Sequence, residues 1–326
     1  MKHRAFGTGH HPISEVGLGC WQFGGDFGPM EDERAMAIMT TAVERGIDFF
    51  DTADVYGAGK SESLIGRFLA ETGAPVSVAT KFGRDGSIYP DHYSEDALRQ
   101  SVDASRERLG VEVLDCIQLH CIPMVELRKG DVFDWMRALK DEGAIREFGA
   151  SVETVDEGLV CLEQDGLGSL QVIFNLFRQK LVAELLPQAK AADVSIIVRL
   201  PLASGLLAGK FTKGTTFSAD DHRTFNRDGQ MFNVGETFAG LPFETGVELT
   251  DRLRDLLPDG MTMAQASLRW ILDHDAVTTV IPGASSAAQA EGNAEASDLT
   301  PFSPELHEAL AEFYRTLVAQ HIRGPY

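Results

Sequence analysis

Four residues in the first 120 positions combine the side-chain types of a proton-transfer site: Asp51, Tyr56, Lys81 and His120. In the run Phe49-Phe50-Asp51-Thr52-Ala53-Asp54-Val55-Tyr56-Gly57, Asp51 shares a strand face with Phe49 and Ala53, so a carboxylate points where an apolar side chain would normally fill a core. A buried carboxylate needs a cation. Ala79-Thr80-Lys81-Phe82-Gly83 carries Lys81 to the end of the next strand, and Gln118-Leu119-His120 carries His120 to the end of the one after. An ammonium beside a phenol, whose ordinary pKa is about 10, stabilises the phenolate and eases proton transfer through it. Taken singly, each residue has a plain structural explanation: a loop cap, a solvated charge, a satisfied core histidine. Their conjunction at successive strand ends points to chemistry.

The elements that must bring these four together follow from hydrophobic patterning. Short apolar runs of strand character recur at Val16–Cys20, Phe49–Ala53, Val76–Lys81, Leu114–His120, Phe148–Val152, Leu170–Asn175, Ser195–Leu200 and Thr278–Gly283. Between them lie segments of helical period: Glu31–Arg45, Ser61–Ala70, Ser94–Arg108, Val132–Lys140, Val155–Glu163, Leu185–Ala192 and Met263–Asp273. Ser94 reads as an N-cap, and Gly46, Gly110 and Gly143 read as C-terminal stops. Such alternation demands a parallel sheet with right-handed crossovers, and eight units close naturally into a (β/α)8 TIM barrel, with a doubly wound open sheet as the competing architecture. The whole chain, residues 1–326, is expected to form one such domain. Residues 1–13 resemble a hairpin plugging the barrel base, and the long loop 203–243 after strand 7 is expected to serve cofactor or substrate.

Composition excludes several function classes. A formal net charge of −20 argues against a phosphate-backbone partner, so no nucleic acid is expected. The opening Met1-Lys2-His3-Arg4-Ala5-Phe6-Gly7 lacks the apolar core of a signal peptide, and no stretch approaches the roughly 18 apolar residues of a membrane helix. A cytoplasmic, non-membrane protein is expected. Cys20, Cys116, Cys121 and Cys161 are too few and scattered for a disulfide scaffold. Zinc is not expected either, because Cys116 and His120 share a strand face while Cys121 points away.

Two glycine motifs mislead. Gly17-Leu18-Gly19 begins like a dinucleotide fingerprint, but its third glycine would fall at Gln22; Gly59-Lys60-Ser61 ends like a phosphate loop whose first glycine would fall at Asp54. Over nearly its whole length, however, the chain resembles the aldo-keto reductase family. The resemblance is carried by Gly17-Leu18-Gly19, by the Asp51–Gly57 and Ala79–Gly83 runs, by Gln118-Leu119-His120, and by Pro201-Leu202-Ala203-Ser204-Gly205-Leu206-Leu207-Ala208-Gly209-Lys210.

The resemblance implies an NAD(P)H-dependent oxidoreductase acting on a small carbonyl or alcohol, with Asp51, Tyr56, Lys81 and His120 as its catalytic tetrad. Tyr56 would be the general acid in reduction and the base in oxidation; Asp51 would hold Lys81, and His120 would orient the carbonyl. It also implies an extended nicotinamide cofactor at the barrel mouth. Gly19, Trp21 and Asp51 would lie near it, Ser151 and Gln171 would hold the carboxamide, and Arg199, Leu200, Pro201, Leu202, Ser204, Gly205 and Lys210 would follow it towards the pyrophosphate. Gly283, Ser285, Gln289 and Asn293 would take the adenine end.

Three departures from the family pattern bear on that set. Ser151 is followed by Val152 and Glu153 where many members continue with Asn. Arg199 replaces an aromatic ring that would stack on the nicotinamide, a role open to a planar guanidinium. Ser285 and Gly292 replace an Arg and a Glu near the 2′-phosphate, which weakens NADP(H) preference without abolishing it; NADP(H) is favoured and NAD(H) stays open. Trp21, Val55 and Phe82, with Phe177, are candidates to wall the substrate, and Arg178, His222, Arg223 and Asn226 hint at a polar substrate such as a sugar. A regulatory subunit of a larger assembly, and a dehydratase or isomerase on the same barrel, remain alternatives. Oligomeric state does not follow from these residues.

Overall fold

A computed structural model describes residues 1–326. A hairpin, β1 (His3–Phe6) and β2 (His11–Ser14), precedes the barrel strands β3 (Leu18–Gly19), β4 (Phe49–Asp51), β5 (Ser77–Phe82), β6 (Leu114–His120), β7 (Ile145–Ser151), β8 (Ser169–Ile173), β9 (Ser195–Arg199) and β10 (Val277–Val280). The eight pair in sequence order, all parallel. Parallel bridges Val16 to Val280 and Gly19 to Gly283 join the first strand to the last and close the (β/α)8 barrel. Glycine is needed at the seam: a Cβ on Gly19 would stand 2.7 Å from the Ile281 carbonyl oxygen. The open-sheet alternative is thereby excluded.

The main helices are α1 (Asp32–Glu44), α2 (Lys60–Thr72), α3 (Glu95–Leu109), α4 (Met124–Lys129), α5 (Asp131–Asp141), α6 (Val155–Leu162), α7 (Leu181–Glu184), α8 (Leu186–Ala191), α9 (His222–Phe225), α10 (Phe243–Arg254), α11 (Met263–Leu272), α12 (Ala287–Ala294) and α13 (Pro304–Phe313). The Ser94 hydroxyl accepts from the Ala97 amide at the start of α3, and Gly110 ends that helix in the left-handed region at φ 69°, as the sequence predicts. Helices α4, α7, α9, α10, α12 and α13 have no counterpart among the segments of helical period; α10 begins where the expected loop ends.

Strand alternation sorts the core into two layers. Phe50, Val78, Ile117, Phe148, Leu170, Ile196 and Val198 face the helices in the larger cluster. Phe49, Ala79, Cys116, Ile197 and Ile281 face the barrel axis, where Phe6 and Ile13 of the hairpin join them. The hairpin therefore plugs the base as expected. Above this apolar floor the inward positions of the same strands turn polar: Asp51, Lys81, Gln118 and Gln171 are all buried.

The 203–242 segment is not a slack loop. His222, Asn226 and Thr237 are buried in it, Phe217 packs on Phe238 and Phe243, and the Arg223 guanidinium lies 4.3 Å from the Phe217 ring centroid. It folds over the C-terminal ends of the barrel strands.

Candidate active site

Lys81 lies at the centre of the inward polar layer. Its Nζ donates to Asp51 Oδ2 at 2.7 Å, to the Thr52 carbonyl at 2.7 Å and to the Tyr56 hydroxyl at 3.2 Å. Lys81 and Asp51 are only 1% and 4% exposed, so the pair is dry and its attraction little screened. Asp51 Oδ1 also accepts from Gln171 Nε2 at 2.6 Å and Gln118 Nε2 at 3.3 Å, which satisfies the carboxylate from both sides. Burial opposes the Lys81 charge, but Asp51 and Tyr56 hold its pKa above the ordinary value.

Two opposed effects act on Tyr56. Burial raises its phenol more than Lys81 lowers it, and it stands at about 12. At neutral pH it therefore keeps its proton. His120 meets Tyr56 edge to face at 5.9 Å between ring centroids. Burial, together with Arg84, Lys81 and Arg199, pushes His120 well below the ordinary histidine value, and its Nδ1 is buried without a partner. Its imidazole is neutral.

Directly above these groups opens a cavity of about 1120 Å³ that reaches Tyr56 and His120 at one end and Gln289 and Asn293 on α12 at the other. That exceeds the roughly 300–1,000 Å³ of an ordinary small-ligand pocket. Trp21, Asp51, Val55, Gln171, Arg199, Leu200, Pro201 and Leu202 line it, as do Gly19, Ser204, Gly205, Lys210, Gly283 and Ser285. The backbone is strained where strands give way to the mouth: Cys121, after His120, has φ 50°, and Leu200, after Arg199, has φ 51°.

Several residues expected at the cofactor or substrate site lie elsewhere. Phe82 is fully buried against the helix layer, 6.3 Å from the Tyr93 ring, because Lys81 faces inward and its neighbour on a strand must face outward. Phe177 is likewise buried in the outer layer. Ser151 lies below the cavity surface, its hydroxyl 3.4 Å from Gln171 Oε1. Arg178 is buried under the tail, donating to the Glu153 and Pro325 carbonyls and facing the Tyr326 ring at 4.8 Å. His222 bridges the Asp26 carbonyl and the Ser204 hydroxyl; Asn226 donates to Thr237 and accepts from the Met231 and Phe232 amides. These last two residues fasten the 203–242 segment. Of the four that hinted at a polar substrate, only Arg223 lines the cavity, and it is paired with Asp221 at 2.5 Å.

The polar wall is formed instead by Arg199, expected beside the nicotinamide, together with Arg84, Glu153, Glu236 and Asn233, which are not among the expected site residues. Arg84, three positions beyond Lys81, pairs with Glu236 at 2.8 Å and Glu153 at 3.3 Å; Arg199 pairs with Glu236 at 3.5 Å and donates to the Val152 carbonyl at 3.3 Å. Burial and Glu236 raise Glu153 to about 7, while Arg84 and Arg199 overcome burial and hold Glu236 down at about 2. Arg84 had a signal, being at the mouth end of a barrel strand. Glu236 and Asn233 had none, since they reach the wall only through the fold of 203–242.

At the α12 end, the Ser285 amide and hydroxyl donate to Gln289 Oε1 at 2.7 and 3.0 Å, and Asn293 donates to the Gly283 carbonyl at 3.3 Å. Gln265, on α11, reaches Glu295 at 2.8 Å and also lines this end.

A closed (β/α)8 barrel with a buried Lys–Asp pair under a phenol at its C-terminal mouth defines the class. Residues 15–315 match the profile of the Aldo/keto reductase family. The chain belongs to that family and is an NAD(P)H-dependent oxidoreductase. It is 30% identical over 315 residues to the uncharacterized oxidoreductase YqkF of Bacillus subtilis, covering 95% of each chain. It is 24% identical over 294 residues to the aldo-keto reductase yakc [NADP(+)] of Schizosaccharomyces pombe, covering 87% of this chain and 84% of that one. The glycerol dehydrogenase AKR11B4 of Gluconobacter oxydans superposes with a TM-score of 0.80 at 28% identity, covering 99% and 97%. No helix is long and apolar enough to cross a membrane.

Proposed function

We propose that this enzyme reduces aldehyde and ketone carbonyls to alcohols with NADP(H), and that Tyr56 is the proton donor. One observation carries the reading: Lys81 Nζ bridges Asp51 and the Tyr56 hydroxyl at 2.7 and 3.2 Å beneath a cavity that Tyr56 and His120 both line. A phenol at about 12 stays protonated at neutral pH, which suits donation to a carbonyl oxygen. As that oxygen gains charge, Lys81 stabilises the phenolate left behind, and Asp51 keeps the ammonium aimed. His120, neutral, orients the carbonyl by a hydrogen bond from the edge of its ring that faces the cavity.

The cofactor supplies the hydride when bound. The cavity's size fits a dinucleotide with room for a small substrate. Gln171 would hold the carboxamide through Oε1, since its amide nitrogen is committed to Asp51. Arg199 lies at the same end. Leu200, Pro201, Leu202, Ser204, Gly205 and Lys210 would follow the pyrophosphate, and Gly283, Ser285, Gln289 and Asn293 the adenosine. The yeast relative named with NADP(+) supports the choice of NADP(H).

The test is fluorescence titration with NADPH and NADH, followed by absorbance at the reduced cofactor's band with a panel of aldehydes and ketones. Saturable binding with stoichiometric loss of NADPH is expected. Binding with no turnover of any carbonyl overturns the reading.

A further inference from the structure

We propose that Glu153, Arg84 and Asn233 recognise a hydroxyl group next to the reacting carbonyl, so that the enzyme selects short hydroxylated aldehydes and ketones over unhydroxylated ones of the same length. This specificity rests on the reductase reading above.

The first ground is position. Glu153 follows β7 two residues beyond Ser151, the register partner of His120, and its carboxylate lies within 4.8 Å of Sγ of Cys121, the residue after His120. Arg84 stands three residues beyond Lys81, and Asn233 comes down from the covering segment; all three line the same cavity as Tyr56 and His120. A substrate whose carbonyl reaches Tyr56 therefore has its next carbons beside this wall.

The second ground is unused hydrogen-bonding capacity. Glu153 Oε1 accepts from Arg84 at 3.3 Å and Oε2 from Asn233 Nδ2 at 3.0 Å, and the carboxyl also hydrogen-bonds Glu236; one donor for each oxygen leaves acceptor room whether or not the carboxyl holds its proton. Arg84 commits one nitrogen to Glu236 and another to Glu153. The Arg84 and Glu153 side chains are 20% and 19% exposed, whereas that of Glu236 behind them is 5% exposed. A hydroxyl, donor and acceptor at once, matches a carboxylate and a guanidinium side by side. Phe232, 5.5 Å beneath the Arg84 guanidinium, gives the carbon skeleton an apolar surface.

Charge selects among ligands. The two guanidiniums share the Glu236 carboxylate and Arg84 also meets Glu153, so most of the wall's positive charge is met within the protein and an anionic substrate gains little there over a neutral one. Cys121, Glu153 and Glu236 offer atoms within 4.8 Å of one another, but Arg84 and Arg199 are already paired with those carboxylates and would repel a metal ion. A neutral hydroxylated compound is what remains.

The experiment compares kcat/KM for glyceraldehyde, propanal and succinic semialdehyde with NADPH in the wild type, Glu153→Ala and Asn233→Ala, with NADPH fluorescence and circular dichroism on each protein. The glyceraldehyde-to-propanal ratio should be at least tenfold in the wild type and fall about 10- to 100-fold in Glu153→Ala, the range for a hydrogen bond to a charged group. Asn233→Ala should lower it in the same direction, and it carries the test alone if Glu153→Ala does not fold. A wild-type ratio near one with propanal turned over, a ratio unmoved in the variants, or a preference for succinic semialdehyde overturns this specificity and leaves the reductase reading standing. A wild type that binds NADPH but reduces neither aldehyde overturns both.

Discussion

Lys81→Met tests whether the buried pair is structural as well as chemical. The substitution removes the Nζ atom that donates to Asp51, to the Thr52 carbonyl and to Tyr56, and it leaves the Asp51 carboxylate 4% exposed with only the amides of Gln118 and Gln171 for company. Breaking a buried pair by removing one partner costs about 3–5 kcal/mol. For a chain of 326 residues, with an unfolding entropy of about 2.1 cal/mol/K per residue, that corresponds to a Tm lower by roughly 4–7 °C. Pairing the change with Asp51→Leu removes the stranded charge and should restore about 2 kcal/mol or more. Turnover should not return in the double variant, because the phenol has lost its cation. Urea denaturation of the two single variants and the double variant gives the coupling energy, and NADPH oxidation gives turnover. A coupling below about 1 kcal/mol, or a Lys81→Met enzyme with near-normal turnover, would refute the reasoning.

Tyr56→Phe should lower kcat by about 10²–10⁴ while NADPH fluorescence titrates as in the wild type; retention of more than a tenth of the turnover would remove Tyr56 from the proton-donor role. Ser285→Arg should raise the NADPH-to-NADH ratio of kcat/KM, since a guanidinium can bind a phosphate bidentately where the hydroxyl now faces Gln289; an unchanged ratio would mean that this end of the cavity does not face the 2′-phosphate. Glu153→Gln probes proton linkage. The native carboxyl stands at about 7 against an ordinary 4.5, so the folded state binds this proton more tightly than the unfolded chain, and stability is lost as pH rises from about 4.5 to 7. Glu236, at about 2, acts with the opposite sign and only at lower pH. Glutamine does not titrate, so urea denaturation at pH 5 and pH 8 should show the stability difference moving in the variant's favour by at most about 3 kcal/mol. A difference that stays flat across that range would show that Glu153 does not hold its proton in the folded protein.

The chain alone determined what depends on short-range pattern. Eight apolar runs separated by helical period specify the barrel, and a titratable residue at the inward, mouth-side end of a strand stands out because an apolar one belongs there; Asp51, Lys81 and His120 are legible for that reason. The same parity argument, applied one residue further, would have turned Phe82 outward. Tertiary structure decided what depends on the environment of a group. The height of the Tyr56 pKa follows from how far the surrounding barrel mouth shields the half-buried phenol from water, which no spacing reveals. The fold of residues 203–242 decided the rest, since only the packing of His222, Asn226 and its phenylalanines brings Asn233 down to Glu153 and Glu236 to Arg84 and Arg199, residues far apart in the chain with no local reason to meet.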